Sequence, residues 1–322
     1  MEIIRNTVPF DYMGTYRLLS DTFGEDEAAS ELPSLDGTEA FFNDDIVYTA
    51  EEDGITHGTV RVTVTKGQPS GEGIKISGLS GMCTDMAVRG TGLGKKLFGK
   101  IVEESDANGC EVSFLGTSNP IACNLYSSFG FSYLPGSRVM ARFHGTNRVK
   151  FFEDRFRKPL EITVRELNAS DRISVIPLFL NEGPGFLLDS VTGIFSNKVI
   201  TQPYCMALYP KYENVLNKGG RAYAAVSERG VLGGIASINE EGIADFFCQQ
   251  NYGEAAGKLL SALGGEARIR ISEYDDRKAD MLLDHGYKEI HVGDRKYEMT
   301  GVSWENKKRE MITVPCRMFE KQ

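Results

Sequence analysis

Two pairs of segments in this 322-residue sequence carry the same pattern about half a chain apart. Residues 48–62 and 223–238 each contain two strand-like stretches on either side of a turn that includes glycine. Residues 126–131 and 282–287 each end in a glycine followed by an aromatic residue. A repeat of this period predicts two copies of one fold, and the length suits two domains of about 150 residues.

Predicted strands and helices alternate within the first half. Residues 46–51 and 59–65 alternate apolar and polar side chains around Asp53-Gly54, a pattern typical of a β-hairpin. Apolar residues at helical spacing lie between Tyr12 and Phe23, and again just after a glycine-rich turn. The sequence therefore predicts an α/β fold in which each domain contains a mixed (α+β) sheet.

The boundary between the halves is predicted at 146–159, a segment rich in Arg, Lys and Phe that ends in a proline. Glycine, serine and proline predict a loop at 67–73. We expect a first domain at 1–147, a linker at 148–160 and a second domain at 161–322.

A glycine-rich turn at 85–94 joins a predicted strand to a predicted helix and contains the pattern R-x-x-G-x-G. Glycines let the backbone turn its N–H groups toward one point, and a helix N-terminus adds about half a positive charge. A pyrophosphate would fit such a turn. The candidate anion-binding residues are Arg89, Gly90, Thr91, Gly92, Leu93, Gly94 and Lys95.

A second motif follows about thirty residues later, where residues 119–131 contain the pattern N…A…LY…GF. The two motifs in this order resemble the Gcn5-related N-acetyltransferase (GNAT) superfamily over roughly residues 1–145. The whole chain resembles a tandem arrangement in which the second GNAT-like domain is degenerate. The resemblance implies a sheet that opens into a V at the motif strand and holds acyl-CoA in the gap.

The resemblance also implies roles for individual residues. Backbone groups of Met82, Cys83 and Thr84 would pair with the pantetheine arm, and residues 89–95 would take the pyrophosphate. Asn119 would hold the cofactor near the next helix. Tyr126 matches the tyrosine that protonates the departing thiolate, and a positioned phenol is chemically suited to that task. Acetyl-CoA is the expected co-substrate, with no metal.

The base that would deprotonate the acceptor amine is left open. Enzymes of this family often carry a glutamate on the motif strand, but residues 75–82 contain no carboxylate. The candidates are Glu25, Asp26, Glu27, His57, Asp85, His144 and the terminal carboxylate of Gln322. A covalent route through Cys83 is a further alternative, although a small buried side chain is the commoner role for cysteine.

Charge restricts the class of partner. The net charge of −9 argues against nucleic acid, whose phosphates are held by clustered Lys and Arg. From Asp21 to Asp53 the sequence has twelve Asp or Glu and neither Lys nor Arg, which indicates either a solvated face or a surface that attracts a cationic amine. The sequence shows neither an apolar stretch long enough to span a membrane nor a signal segment, and we therefore expect a cytoplasmic protein. Its cysteines are expected to be reduced, buried thiols.

The second half lacks the residues that would carry the chemistry. Residues 247–256 stand at the position of the glycine-rich turn without R-x-x-G-x-G, and Leu282 stands where the first half has Tyr126. We expect this domain not to bind coenzyme A. Aromatic side chains between 181 and 217 either line a cleft or fill the second core, and the core is the commoner role; they are Phe186, Phe195, Tyr204, Tyr209 and Tyr212.

The sequence thus predicts an enzyme that transfers an acetyl group from acetyl-CoA to a primary amine of a small molecule or peptide, by ordered direct attack with Tyr126 as general acid. A non-catalytic acyl-CoA sensor is the alternative. A dinucleotide-dependent oxidoreductase is disfavoured because the turn lacks a third glycine at the required spacing.

Overall fold

The computed structural model describes residues 1–66, 75–181, 187–195, 205–290, 296–302 and 309–322, with backbone alone for 299–302 and 309–310. The predicted loop at 67–73 lies outside these ranges, as do Phe186 and Tyr204. The chain divides into two compact units. The first comprises residues 1–133, 139–148 and 205–207, and the second comprises 134–138, 149–204 and 208–322.

The first unit is built on a seven-stranded sheet in the order β1-β2-β3-β4-β5-β7-β6. Only the β4–β5 pair among these neighbours is parallel. The strands are β1 (Glu2–Thr7), β2 (Asn43–Glu52), β3 (Ile55–Thr65), β4 (Ile76–Thr84), β5 (Val112–Gly116), β6 (Ser132–Tyr133) and β7 (Val139–Phe143). The helices are α1 (Met13–Phe23), α2 (Glu25–Leu35), α3 (Leu93–Ala107) and α4 (Pro120–Ser127).

The second unit begins within α5 (Arg148–Arg155), a helix in the segment where the sequence predicts a linker. Its helices are α6 (Val175–Leu180), α7 (Leu208–Asn217), α8 (Ala255–Leu263) and α9 (Asp276–Asp284). Its strands are β8 (Ile162–Glu166), β9 (Leu187–Asp189), β10 (Ile194–Phe195), β11 (Arg221–Ser227), β12 (Leu232–Ile238), β13 (Ile243–Cys248), β14 (Arg268–Ser272), β15 (Tyr287–Ile290), β16 (Lys296–Val302) and β17 (Arg309–Lys321).

The main sheet of the second unit has the order β8-β11-β12-β13-β14-β17-β15. Position by position, this order and the direction of every pairing match the first sheet, including one parallel pair, β13–β14. The repeated segments 48–62 and 223–238 fall in β2–β3 and β11–β12. The prediction of two copies of one mixed-sheet fold is therefore confirmed.

Apolar residues cover both faces of the first sheet. On one face, α3 and α4 pack on a core that includes Val62, Phe98 and Ile101, and on the other α1 and α2 bury Leu19 and Val47. The acidic stretch therefore includes an amphipathic helix, α2, which the sequence analysis did not predict. Among the helices of the described ranges, none is long and apolar enough to cross a membrane.

The core of the second unit is tightly packed where the turn after β13 lies against β12. A Cβ atom added to Gly233 would lie 1.9–2.3 Å from the ring of Tyr252, which is fully buried. We predict that Gly233→Ala destabilises the protein by about 1–3 kcal/mol, because a packed aromatic ring cannot yield that space without strain. Urea denaturation would measure the change.

The matched control is Gly265→Ala, where an added Cβ has no neighbour within 4 Å. That variant should stay within about 0.5 kcal/mol of the parent protein. Equal stability of the two variants would contradict the packing of Tyr252 against β12.

Candidate functional site

The first sheet opens between its two parallel strands. Register pairing of β4 with β5 ends at Gly78 opposite Phe114, although β4 continues to Thr84 and β5 to Gly116. Residues 79–84 keep their pairing with β3 on the other edge. The edge of β4 that faces β5 therefore presents backbone N–H and C=O groups without a ladder partner, and such groups need one when they are buried.

A bulge in β4 accompanies the opening. Thr59 pairs with Cys83 and Arg61 pairs with Ser80, so two residues of β4 oppose one residue of β3. Gly81 lies at this point with φ of 61°, a left-handed conformation that favours glycine. Bulges bend a strand and change the direction of its side chains, and they recur beside active sites. A glycine inside a strand pattern was the signal for it in the sequence.

The predicted anion-binding turn follows the open part of β4. Gly90 and Gly92 have φ of 81° and 84°, and a Cβ on either would meet nothing within 4 Å. Glycine is therefore required there by backbone conformation rather than by crowding. Gly92 is the N-cap of α3, so the exposed turn leads directly into the positive end of the helix dipole.

Side-chain contacts hold this turn in place. Asp85 accepts a hydrogen bond from the backbone N–H of Ala87 at 2.9 Å, and the Nε of Arg89 donates to the carbonyl of Thr84 at 3.1 Å. The hydroxyl of Thr91 donates to the carbonyl of Val88 at 2.8 Å. Arg89 and Lys95 are both exposed, which leaves two cations at the start of α3 for an anionic ligand.

Close packing of α3 on the sheet positions the helix N-terminus. A Cβ on Gly94 would come within 3.2 Å of the Met82 methyl, and one on Gly58 within 2.7 Å of Leu97. The buried Leu93 completes this contact. The third glycine of the turn therefore serves the approach of α3 to the end of β4.

Asn119 lies just after β5, at the same edge of the sheet as the end of its parallel neighbour β4. It is the N-cap of α4, and its side-chain oxygen accepts from the N–H of Ile121 at 2.9 Å. In the described part of the chain no group accepts from its NH₂, which stays exposed as a donor. Its predicted contact with the cofactor remains a prediction.

Tyr126 lies in α4 with only 6% of its surface exposed. Its ring packs 4.5 Å from the ring of Phe98, within the core on the α3 side of the sheet. Burial, reinforced by the nearby Cys83 thiol, raises the pKa of Tyr126 to about 12. Because Cys83 lies in the open part of β4, the phenol comes close to the gap between β4 and β5.

Cys83 is a poor nucleophile in this setting. It is 5% exposed, and burial raises the pKa of its thiol to about 12. The thiolate, not the thiol, attacks carbonyl carbon. The alternative of a covalent acyl-cysteine route therefore finds no support in its surroundings, and the side chain packs with Leu18 and Leu19 under α1.

The candidate bases are spread over the molecule. His144 lies beside the first residues of β5, away from the turn, where its Nδ1 is 2.8 Å from Asp106. Gln322 belongs to the second unit. His144 does not lie with Tyr126 and the end of β4.

Two other candidates lie near the anion-binding turn. His57 is 3.5 Å from Asp85, within ion-pair range, but its fully buried Nδ1 makes no hydrogen bond. The N–H of Ala87 lowers the pKa of Asp85. That carboxylate is consequently a weaker base than an ordinary aspartate.

Glu25 at the start of α2 accepts from the hydroxyls of Ser20 and Tyr16 at 2.6 and 2.9 Å. These bonds lower the pKa of Glu25. Asp26 and Glu27 are exposed beside it in the same helical turn. Among the described residues, no group of three or more His, Cys, Asp or Glu side chains is arranged to hold a metal ion.

The sheet of the second unit also opens between its two parallel strands, but another segment of the chain occupies the gap. Register pairing of β13 with β14 ends at Ala244 opposite Ile269, while β13 continues to Cys248. Strand β9 contacts both β13 and β14 beyond that point. The backbone N–H of Ser190 donates to Asp245 at 2.8 Å, and the hydroxyl of Ser190 donates to the carbonyl of Arg270 at 2.8 Å.

A buried polar cluster fixes this filling segment, residues 187–190. Lys278 donates to the carbonyl of Leu188 at 2.8 Å and to Asp245 at 2.7 Å. Tyr212 donates to Asp189 at 2.7 Å, and both are fully buried. Leu282, at the position of Tyr126, is also fully buried. Phe195 and Tyr209 are buried too, which fits the core role expected for them.

The comparisons with protein families and with solved structures both return matches. Residues 43–133 match the model of the acetyltransferase (GNAT) domain. The comparison with curated proteins finds no match. The chain resembles solved structures of a GNAT-family acetyltransferase from Staphylococcus aureus Mu50 (17% identity, 44% of this chain and 99% of that chain, TM-score 0.34) and of a GNAT-family N-acetyltransferase from Escherichia coli in complex with CoA (22% identity, 44% and 82%, TM-score 0.34). A third is a GNAT-family acetyltransferase from Brucella melitensis in complex with acetyl-CoA (18% identity, 46% and 91%, TM-score 0.35).

The family match runs from β2 to β6 and so includes the opening of the sheet, the predicted anion-binding turn and Tyr126. Residues 43–133 of the first unit are thus similar to the GNAT acetyltransferase domain.

Proposed function

We propose that the first unit transfers an acetyl group from acetyl-CoA to a primary amine of a small molecule or peptide. The observation that carries this proposal is the gap between β4 and β5, which has an anion-binding turn at its end and a protonated phenol beside it. A sensor would need the gap and the turn but would have no use for the phenol.

The residues present fit coenzyme A. A pantetheine arm carries amide groups that can pair with the free backbone edge of residues 79–84 as an added strand would. The pyrophosphate would accept from backbone N–H groups between Arg89 and Lys95 at the start of α3. Charge-assisted contacts from Arg89 and Lys95 would add about 1.5–3 kcal/mol each.

The chemistry balances with one acid and one base. The amine nitrogen forms a bond to the thioester carbon, the C–S bond breaks, and the thiolate takes a proton from Tyr126. The amine loses one proton to a base and the phenolate recovers one, which yields the amide and free coenzyme A. A lysine-like amine with a pKa of about 10.4 is neutral only about one part in 10³ at neutral pH, so that base is needed.

Charge favours a cationic acceptor. The first turn of α2 carries Glu25, Asp26 and Glu27, all exposed. Exposed carboxylates raise the local concentration of a cationic amine and its rate of association. Glu25 is engaged by Ser20 and Tyr16, so we choose the exposed residues Asp26 and Glu27 to test this attraction.

We predict that Tyr126→Phe lowers kcat for acetyl transfer by about 10²- to 10⁴-fold, because the leaving thiolate loses its proton donor. The ring contact with Phe98 is kept, so the thermal midpoint and the affinity for acetyl-CoA should stay unchanged. Release of free thiol from acetyl-CoA, measured with a panel of amines, gives the rate.

The high pKa of Tyr126 sets the expected pH profile of the variant. A phenol with a pKa of about 12 stays protonated from pH 6 to 10, so the loss in Tyr126→Phe should be nearly constant over that range while both rates rise as the amine deprotonates. Unchanged turnover under conditions where chemistry limits the rate would sink the assignment of Tyr126.

We predict one acetyl-CoA site per chain, because the corresponding gap in the second unit is filled by residues 187–190. Calorimetric titration gives the stoichiometry. Arg89→Glu should weaken binding at least about 10-fold by replacing a cation of the turn with an anion.

The control is Lys100→Glu, an equal charge reversal later in α3, which should bind as the parent protein does. Two sites per chain would show that the second gap opens. Absence of binding, or equal losses in both variants, would refute the placement of the pyrophosphate.

We predict that Asp26→Asn combined with Glu27→Gln raises KM for a cationic amine about 2- to 10-fold and leaves kcat unchanged, since these exposed charges act on association. The difference should shrink at high ionic strength. The control pair, Glu240→Gln with Glu241→Gln, changes net charge equally in the second unit. A KM insensitive to both salt and the first pair would exclude steering by α2.

A further inference from the structure

A cavity of about 210 Å³ lies in the second unit at the end of β13. It is formed by α5, the end of β13 with the turn that follows, the residue after α6, and the start of α9. Its lining residues are Phe152, Glu153, Phe156, Asn181, Phe247, Cys248, Gln249, Gln250, Asn251 and Arg277. All of them belong to the second unit.

The position of this cavity corresponds to the mouth of the acyl-CoA gap in the first unit, since the turn after β13 matches the turn after β4. Gln249, Gln250 and Asn251 follow β13 there, where the first unit has Asp85, Met86 and Ala87 after β4. The volume is below the roughly 300–1,000 Å³ of pockets for drug-sized ligands. It suits a small molecule rather than a nucleotide.

One wall of the cavity is apolar. The rings of Phe152 and Phe156 are nearly parallel, at 14° and 6.3 Å, and both side chains are largely buried. Phe247 lies on the same cavity and packs 5.4 Å from Phe179, which fixes its position. Three phenyl rings favour an apolar or aromatic group on the ligand.

Another wall of the cavity is polar, and its side chains are held by hydrogen bonds within the protein. The NH₂ of Asn181 donates to Gln249 at 3.0 Å, and the NH₂ of Gln249 donates to the carbonyl of Leu178 at 2.7 Å. Gln249 is 4% exposed. These bonds hold the two amides without help from a ligand, so the cavity is preformed on this side.

Two opposite charges line the cavity without pairing. Arg277 is half-buried and makes only long hydrogen bonds, of 3.5 and 3.4 Å, to the carbonyls of Gln249 and Gln250. Glu153 is exposed at the rim. Within the described ranges, no ion pair joins these two residues to each other or to another charge. A ligand with one anionic and one cationic group would satisfy both.

We propose that this cavity binds a free α-amino acid with a large apolar side chain. The ligand carboxylate would take the bidentate geometry that a guanidinium offers, at Arg277. The ammonium group would lie toward Glu153, and the side chain would lie against Phe152, Phe156 and Phe247. The site needs neither acetyl-CoA nor Tyr126 and is independent of the proposed acetyl transfer.

The test is calorimetric titration of the full chain with three probes. L-Phenylalanine carries both charges, 3-phenylpropanoate lacks the ammonium group, and 2-phenylethylamine lacks the carboxylate. We expect one L-phenylalanine per chain, and at least about 10-fold weaker binding of each truncated probe. Absence of L-phenylalanine binding, or equal affinity for all three, overturns the proposal.

Two variants assign the charges. Arg277→Gln should weaken L-phenylalanine and 3-phenylpropanoate but leave 2-phenylethylamine unchanged. Glu153→Gln should do the reverse, weakening L-phenylalanine and the amine but not the carboxylate. Loss of all three probes to the same extent in either variant would overturn the assignment.

The matched control is Asp154→Asn, which removes a neighbouring charge from α5 that does not line the cavity. Its affinities should equal those of the parent chain. Thermal midpoints of all three variants, measured without probe, separate a lost contact from a damaged fold. Affinity lost in Asp154→Asn as well would contradict a site at Glu153.

Discussion

The separation of the two parallel strands after their first three paired residues governs the rest of this structure. After Gly78, β4 has a partner on one edge only. A buried backbone edge without hydrogen bonds is unfavourable, so something other than β5 must satisfy it or it must stay in contact with solvent. The bulge at Gly81 lies in this part of β4, and α3 packs closely against it. The site is a consequence of that unpaired edge.

The two units resolve the same constraint differently. In the first, the edge is available and leads to a turn whose two glycines adopt positive φ at the start of α3. In the second, Ser190 donates from its backbone N–H to the side-chain carboxylate of Asp245 and from its hydroxyl to the carbonyl of Arg270, so one segment is bonded to both strands. The same topology thus produces two results. The gap is open in the first unit, where the connection between β1 and β2 is shorter. It is closed in the second unit, where β9, a strand from the longer connection between β8 and β11, enters the gap.

The alternation of strands and helices and the hairpin at Asp53-Gly54 were predictable from the sequence, because both depend on local periodicity and turn residues. The glycine-rich turn between β4 and α3 could be located in the same way, and its binding of an anion remains a prediction. The exact end of the β4–β5 pairing was not, since it depends on the tilt of two strands rather than on either segment alone. Helix α2 was missed because its acidic first turn obscures the apolar face formed by Ala28 and Leu35. The proximity of Tyr126 to Cys83 could not be predicted from the sequence, because 43 positions separate them and only the tertiary fold brings them together.

The filled gap of the second unit was equally invisible in the sequence, and its polar cluster explains why it stays filled. Burial raises the pKa of Asp245 to about 7 even though Lys278 opposes that rise. Withdrawing residues 187–190 would remove the Ser190 bond to Asp245 and the Leu188 bond to Lys278, and it would leave Tyr212 without Asp189. Each of these losses would leave a buried polar or charged group with one hydrogen bond fewer, at the cost of part of its desolvation. The closed gap is therefore held by hydrogen bonds that act together, whereas hydrophobic packing alone would allow the segment to slide. Because residues 187–190 occupy the gap, the strand edge that the first unit leaves unpaired is covered in the second.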